Sequence, residues 1–222
     1  MENKKVVDKK KDILAMLKDA AALLIITLFA GLLLGFVYQL TKEPIEKQEA
    51  LAIQKACAAV MPAADHFTEL EYTVAPMLTE KMAADGVSVG TVYEAYSADN
   101  RFMGYVIEAT SSQGYGGNIV LYLGVDPFTE PFTLNGVSIL SISETAGLGM
   151  RAGEVLIPQF AGKKVSGFTY TKTGSANDSE IDAISGATIT TKAVINAVNG
   201  GLDVAEELFA KAVEEGKVSL DE

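Results

Sequence analysis

The sequence predicts an α+β protein with a single transmembrane helix near its N-terminus, and three observations support this fold class. The first is an uncharged stretch at residues 20–41. The second is a central series of short segments rich in Val, Ile, Tyr and Thr, which is typical of antiparallel strands. The third is a helical pattern on either side of that series, and the order helix, strands, helix is an α+β arrangement.

The uncharged stretch predicts a helix that crosses a membrane. Its 22 residues would extend roughly 33 Å as a helix, which is enough to cross the hydrocarbon core of a bilayer. Tyr38, near one end, suits an interfacial position. A soluble helix is rarely apolar on all sides over this length. A cleaved signal peptide is disfavoured because its apolar region is usually shorter and residues 42–50 offer no convincing cleavage site.

The charges on either side of this stretch predict its orientation. Residues 1–19 hold six lysines and four acidic residues, a net charge of +2. Because the whole chain has a net charge of −11, the rest of the chain has a net charge of −13. Because lysine-rich flanks stay in the cytoplasm, we predict a cytoplasmic stub at 1–19, a single pass through the inner membrane at 20–41 and an extracytoplasmic domain at 42–222. Membrane lipid is then one partner. Nucleic acid is excluded, because an acidic domain repels phosphates.

The extracytoplasmic domain is predicted to begin and end with helices. A first helix is expected between Pro44 and Pro62, and a last one at residues 190–217, interrupted at Gly200 and Gly201. Strands are predicted between them at residues 71–75, 91–96, 102–109, 119–125, 137–143 and 167–172.

The residue inventory excludes several kinds of redox and catalytic centre. Cys57 is the only cysteine and His66 the only histidine, so the chain cannot form a disulfide, an iron–sulfur cluster or a multi-histidine metal site within itself. Cys57 is predicted to be a small core residue and His66 a loop residue. No metal site and no catalytic residue are predicted, and any redox chemistry must come from a bound organic cofactor.

Two glycine-rich segments are candidate ligand contacts. In residues 111–119, SSQGYGGNI, glycines would let the backbone approach a ligand closely, and Tyr115 could lie against a flat ring. In residues 143–149, SETAGLG, Glu144 and Thr145 offer polar contacts beside the apolar Leu148. Both segments are equally compatible with ordinary turns.

A third candidate is the start of the last helix, where residues 182–191 read DAISGATITT. The free N–H groups of a helix start attract anions such as phosphate. Gly186 and Ala187 leave room for a bulky group beside the chain. Capping explains one or two of the crowded hydroxyl groups and remains the default interpretation from composition alone. Those hydroxyl groups belong to Ser185, Thr188, Thr190 and Thr191.

Residues 182–188, Asp-Ala-Ile-Ser-Gly-Ala-Thr, resemble the flavinylation motif of the FMN-binding domain family, Asp-x-x-Ser/Thr-Gly-Ala-Thr. In that family the final threonine carries FMN through a phosphoester bond, which a separate flavin transferase installs from FAD. The resemblance implies FMN attached covalently through its phosphate to Thr188, and it makes Asp182 a recognition or positioning residue. The remaining implied cofactor contacts are Ser185, Gly186, Ala187, Glu144, Thr145, Leu148 and Tyr115.

The resemblance extends over nearly the whole chain. The apolar stretch, the TKEP that follows it, the GYGG loop and the SETAGLG and FAGK segments occur in the order seen in the G subunit of Rnf electron-transport complexes. Such complexes couple electron transfer between ferredoxin and NAD to ion movement. The resemblance implies an electron-carrying subunit with no complete activity alone, whose partners are membrane and iron–sulfur subunits. Ser143 and Ala146 replace the histidine and proline common in the family.

Two other functions fit the same features. The C subunit of a sodium-pumping NADH:quinone reductase shares the motif and the anchor, but it would serve a different electron donor and acceptor. A membrane-tethered binding module without a cofactor would use the hydroxyl groups only for capping and the glycine loops for binding a peptide or a solute.

Overall fold

The computed structural model describes residues 2–214, with side chains from residue 13, and it divides into two compact units with their boundary between Leu51 and Ala52. Residues 215–217 of the predicted last helix lie outside the described residues, as do the side chains of most of the predicted cytoplasmic stub. The α+β fold class is confirmed, because a long apolar N-terminal helix precedes an antiparallel sheet with flanking helices.

The first element, α1, is one continuous helix over Glu2–Val60. The prediction of a separate helix starting at Pro44 is therefore wrong, since the helix runs through this proline. Pro44 cannot donate a backbone hydrogen bond, but the helix-favouring Lys, Glu and Gln residues on both sides of it remain helical. An 18-residue window of α1 reaches a mean hydropathy of 2.6 with none of it buried, and this fits a membrane anchor.

The second unit contains a six-stranded antiparallel sheet whose strands follow one another in chain order. The strands are β1 (His66–Leu70), β2 (Val87–Tyr96), β3 (Phe102–Ser111), β4 (Ile119–Asp126), β5 (Thr133–Ser141) and β6 (Lys163–Lys164). Two further strands, β7 (Thr169–Thr171) and β8 (Glu180–Asp182), form a small parallel pair. The remaining helices are α2 (Pro76–Ala84), α3 (Ala152–Val155) and α4 (Thr188–Glu214).

The sheet separates two apolar clusters, because successive side chains of a strand point to opposite faces. Ile107 and Leu121 belong to the cluster that includes α4, whereas Tyr122 belongs to the cluster formed with the end of α1. Cys57 lies in the second cluster at 2% exposure, which confirms that it is a core residue. Burial raises the pKa of its thiol to about 11.

The predicted strand at residues 71–75 is wrong. The strand β1 ends at Leu70, directly before these residues, and they lead into α2. His66, which the sequence places in a loop, begins β1 opposite Tyr96, and the two rings stack with centroids 5.5 Å apart. At the end of the misassigned segment, the N–H of Ala75 donates to the carboxylate of Glu207 on α4. Pro76 then starts α2. The other predicted strands overlap observed strands.

The predicted interruption of the last helix at Gly200 and Gly201 is also wrong, since α4 is continuous through both residues. The two glycines bring the helix close to the sheet. A Cβ atom on Gly200 would lie 2.8 Å from Cγ1 of Val87, and one on Gly201 would lie 2.7 Å from Cδ1 of Leu123. Both neighbours are buried core residues, so the glycines serve packing and do not end the helix.

Replacing Gly201 with alanine tests this close packing. We expect Gly201→Ala to lower the free energy of unfolding by about 1–3 kcal/mol, because the new methyl group must displace the fully buried Leu123. Gly153→Ala is the matched control, since a Cβ at Gly153 meets nothing within 4 Å. The measurement is chemical denaturation of the full chain in detergent, followed by circular dichroism. Equal stability of the two variants would contradict the packing role.

Candidate functional site

A cavity of about 500 Å³ opens where the glycine loop at 114–117, the segment at 144–149 and the start of α4 meet. Its size lies within the range of about 300–1,000 Å³ typical of small-molecule sites. Seven of the nine cofactor contacts implied by the sequence lie in its wall, whereas Asp182 and Ser185 do not. The lining residues are Tyr115, Glu144, Thr145, Leu148, Gly149, Gly186, Ala187, Thr188, Ile189 and Thr190.

A tight turn delivers the chain to the start of α4. The N–H of Ala187 donates to the carbonyl of Ile184 at 3.0 Å, and Gly186 between them has a φ of 79°, which favours glycine. A Cβ on Gly186 would lie 3.2 Å from Cδ2 of Leu148 across the cavity wall. The glycine therefore serves the turn and leaves space beside the cavity.

The hydroxyl groups around this turn have different roles. The Thr191 hydroxyl accepts the N–H of Ile184 at 3.1 Å and donates to the carbonyl of Ala187 at 3.0 Å. The Thr190 hydroxyl donates to Glu144 at 2.9 Å. Ser185 is exposed on the turn. Among the described residues, none hydrogen-bonds the Thr188 hydroxyl, and Thr188 lies in the cavity wall.

Glu144 joins the glycine loop to α4. One carboxylate oxygen accepts the Thr190 hydroxyl at 2.9 Å, and the other accepts the N–H of Gly116 at 3.2 Å. Three glycines make this arrangement possible: a Cβ on Gly149 would lie 2.7 Å from Glu144, one on Gly114 would also meet Glu144, and one on Gly116 would collide with the carbonyl of Ser143. The carboxylate is thus hydrogen-bonded within the protein, and its contact with a ligand stays a prediction, since Glu144 also lines the cavity.

The rim of the cavity is apolar and exposed. Tyr115 is 71% exposed, Ile189 54% and Leu148 41%. Exposed large apolar side chains around a concave surface are typical of a site for a flat or apolar ligand. Ile189 was missed from the sequence. The available signal was its position as an apolar residue between two threonines in the first turn of a helix whose other apolar residues face the core.

The cavity also includes the start of α4. The N–H of Thr191 donates to the carbonyl of Ala187 at 3.0 Å. The N–H groups of Thr188, Ile189 and Thr190 come before this first helical bond and place positive partial charges at this end of the cavity. A wall with this donor set and an apolar rim fits a molecule that combines an anionic group with a flat ring.

A second, smaller cavity of about 220 Å³ lies elsewhere and contains none of the cofactor contacts implied by the sequence. It includes Lys81 and Asp203, whose charged groups pair with each other at 2.8 Å. Nothing in its lining resembles the combination of free hydroxyl, helix start and apolar rim at the larger cavity. The larger cavity is therefore the candidate functional site.

Fold and site together define an FMN-binding domain preceded by an N-terminal anchor helix. The sequence profile of the FMN-binding domain matches residues 114–203, and that of the RnfG N-terminal region matches residues 9–60. The G subunit of the ion-translocating oxidoreductase complex of Aliivibrio fischeri is 31% identical over 187 residues, covering 82% of this chain and 87% of the relative. This chain belongs to the family of G subunits of ion-translocating oxidoreductase complexes.

Two further similarities have been found. The G subunit of the Na(+)-translocating ferredoxin:NAD(+) oxidoreductase complex of Acetobacterium woodii is 28% identical, covering 84% of this chain and 89% of the relative. Among solved structures, the C subunit of the Na(+)-translocating NADH-quinone reductase from Parabacteroides distasonis is 23% identical with a TM-score of 0.44, covering 63% of this chain and 74% of that chain.

Removing the Glu144 carboxylate tests its role as the link between the loop and the helix. We expect Glu144→Ala to speed hydrogen exchange at residues 114–117 and to cost about 1–3 kcal/mol of stability, because the buried Thr190 hydroxyl loses its partner. Glu154→Ala, which removes an equal charge from an exposed position on α3, is the control. Unchanged exchange in the glycine loop of the Glu144 variant would contradict the link.

Proposed function

We propose that this chain is the membrane-anchored electron-carrying subunit of an Rnf-type complex, which couples electron transfer between ferredoxin and NAD to ion translocation. We further propose that it carries FMN attached covalently to Thr188. The observation that carries the proposal is that Thr188 lies in the cavity wall and its hydroxyl has no partner among the described residues, while those of Thr190 and Thr191 are hydrogen-bonded. Membership of the G-subunit family and the match to the FMN-binding domain support it.

In the proposed attachment step, Thr188 is the nucleophile and a flavin transferase is the catalyst. The Thr188 oxygen forms a bond to the phosphorus of the FMN half of FAD, the bond between the two FAD phosphates breaks, and AMP leaves. The hydroxyl proton passes to a base of the transferase, which also supplies the metal. Thr188 is afterwards a tether. Access is available, because Ser185, Gly186 and Ile189 around it are exposed.

FMN, when bound, supplies one- and two-electron chemistry. The residues of this chain would hold and orient it. The free N–H groups at the start of α4 lie beside the attachment point and favour the phosphate. Leu148, Ile189 and Tyr115 would pack against the rings, and Thr145 would hydrogen-bond a polar ring edge. Glu144 would keep the loop that carries Tyr115 against α4.

The proposed location explains why the link would be covalent. A domain outside the cytoplasm has no access to the cytoplasmic FMN pool, so a tether prevents loss of the cofactor. The proposed orientation places the lysine-rich N-terminus in the cytoplasm and the acidic domain outside, anchored in lipid by the apolar part of α1. Other membrane and iron–sulfur subunits would deliver and accept the electrons.

Substitution of Thr188 tests the attachment. The chain is co-expressed with a flavin transferase, denatured, and examined by in-gel flavin fluorescence and peptide mass. We expect the wild-type protein and Thr188→Ser to carry one FMN less one water on residue 188, and Thr188→Ala to carry none, because only a hydroxyl can form the ester.

Two other outcomes of this experiment would contradict the proposal, one for the attachment site and one for the function. Covalent flavin in Thr188→Ala would show that another residue is the attachment site. A colourless wild-type chain, with the transferase active on a known substrate, would favour the binding module without a cofactor. Thr191→Val is a useful further control, because its hydroxyl is fully hydrogen-bonded within the turn.

Labelling of introduced cysteines tests the orientation. We expect a membrane-impermeant maleimide to label Glu154→Cys in intact cells and to leave Asn3→Cys unlabelled, because the lysine-rich stub stays inside. The native thiol gives little background, since Cys57 is buried and its pKa is raised to about 11. Both variants should react after the cells are broken. The opposite labelling pattern would reverse the proposed topology.

A further inference from the structure

The backbone of β8 is held by a side chain that the sequence analysis did not single out. The Gln159 amide oxygen accepts the N–H of Asp182 at 2.7 Å, and its amide nitrogen donates to the carbonyl of Asp182 at 3.2 Å. The same nitrogen also donates to the carbonyl of Val155 at 2.6 Å. Gln159 therefore binds Asp182 in the way that a neighbouring strand would.

This support matters because the β7–β8 pair is small. Each strand has three residues, and Asp182 pairs with Thr171 on only one of its edges. Isolated two-stranded sheets are marginally stable in water. Gln159 satisfies the backbone groups on the other edge, where unpaired and partly buried N–H and C=O groups would be costly.

The segment from Asp182 to Thr188 is consequently held at two points in its first half. Gln159 fixes Asp182, and the Ile184 N–H is bonded to the Thr191 hydroxyl on α4. Ile184 is also buried, at 2% exposure. The carboxylate oxygen Oδ1 of Asp182 is buried without a partner among the described residues, so its direction depends on the backbone that Gln159 holds.

We propose that Gln159 is a positioning residue for the modification of Thr188. It fixes the path of the chain out of β8 and so sets where Asp182 and the Thr188 hydroxyl stand relative to each other when the transferase binds the folded domain. The inference rests on the proposed attachment of FMN to Thr188. Small displacements of a reacting group are sufficient to slow a reaction strongly.

The chain offers a matched control on the same strand pair. The Asn199 side chain on α4 binds Phe168, the residue before β7, through the same two bonds: Phe168 N–H to Oδ1 at 2.7 Å and Nδ2 to the Phe168 carbonyl at 2.9 Å. Asn199 therefore makes an equivalent amide-to-backbone pair at the start of the strand pair, away from the flavinylation motif. Loss of either amide removes the same kind of interaction.

The experiment compares Gln159→Met and Asn199→Leu in the full chain in detergent, with purified flavin transferase, its metal and FAD. Covalent flavin is measured against time, together with the melting temperature and circular dichroism of each variant. We expect the maximal rate of transfer to fall about tenfold or more for Gln159→Met and by no more than about twofold for Asn199→Leu. Gln159→Glu keeps the acceptor for the Asp182 N–H, and its rate should lie between Gln159→Met and wild type.

A purely structural role for Gln159 makes a different prediction. If the two variants slow transfer in proportion to their loss of melting temperature, or if Gln159→Met is modified at the wild-type rate, the positioning role is overturned while the attachment to Thr188 stands. A wild-type chain that stays unmodified, with the transferase active on a known substrate, overturns both. If Gln159→Met does not fold, the same comparison of transfer rate with melting temperature is made on Gln159→Glu.

Discussion

The close packing of α4 against the sheet determines the position of most of the site. Gly200 and Gly201 allow the helix backbone to approach Val87 and Leu123, and this contact fixes where the first turn of the helix lies. Glu144 then connects that turn to the glycine loop. The cavity is formed by three segments far apart in the chain, and the helix is the common element that holds them in one place.

Capping and cofactor attachment are competing explanations for hydroxyl groups at a helix start, and here the individual hydroxyl groups have different surroundings. Thr191 satisfies backbone groups of the turn, and Thr190 joins the helix to Glu144. Those two are fixed by protein contacts, whereas Thr188 lines the cavity and its hydroxyl has no partner among the described residues. The hydroxyl residues at the start of α4 look equivalent in the sequence, but in the structure each hydroxyl has its own environment.

The sequence predicted the fold class and the strands β2 to β5 because these short segments are rich in Val, Ile, Tyr and Thr, the residues that fit a buried sheet. It failed at Gly200 and Gly201, where a helix-breaking signal in fact reflects contact with a distant strand. The residues that line the cavity could be predicted only from the flavinylation motif and the two glycine-rich segments. Gln159 could not be predicted, because its bonds to Asp182 join residues 23 positions apart.

The burial of the single thiol has a consequence for the proposed position of the domain outside the reducing cytoplasm. Cys57 lies against Tyr122 and Val60 in the core, and burial keeps its thiol protonated at neutral pH because it raises the thiol pKa. Thiolates, not thiols, exchange with disulfides and react with oxidants. The folded chain therefore offers no sulfur that could cross-link to a neighbouring molecule in an oxidising compartment. In the proposed role outside the cytoplasm, electrons would then pass through the flavin and not through the thiol of Cys57.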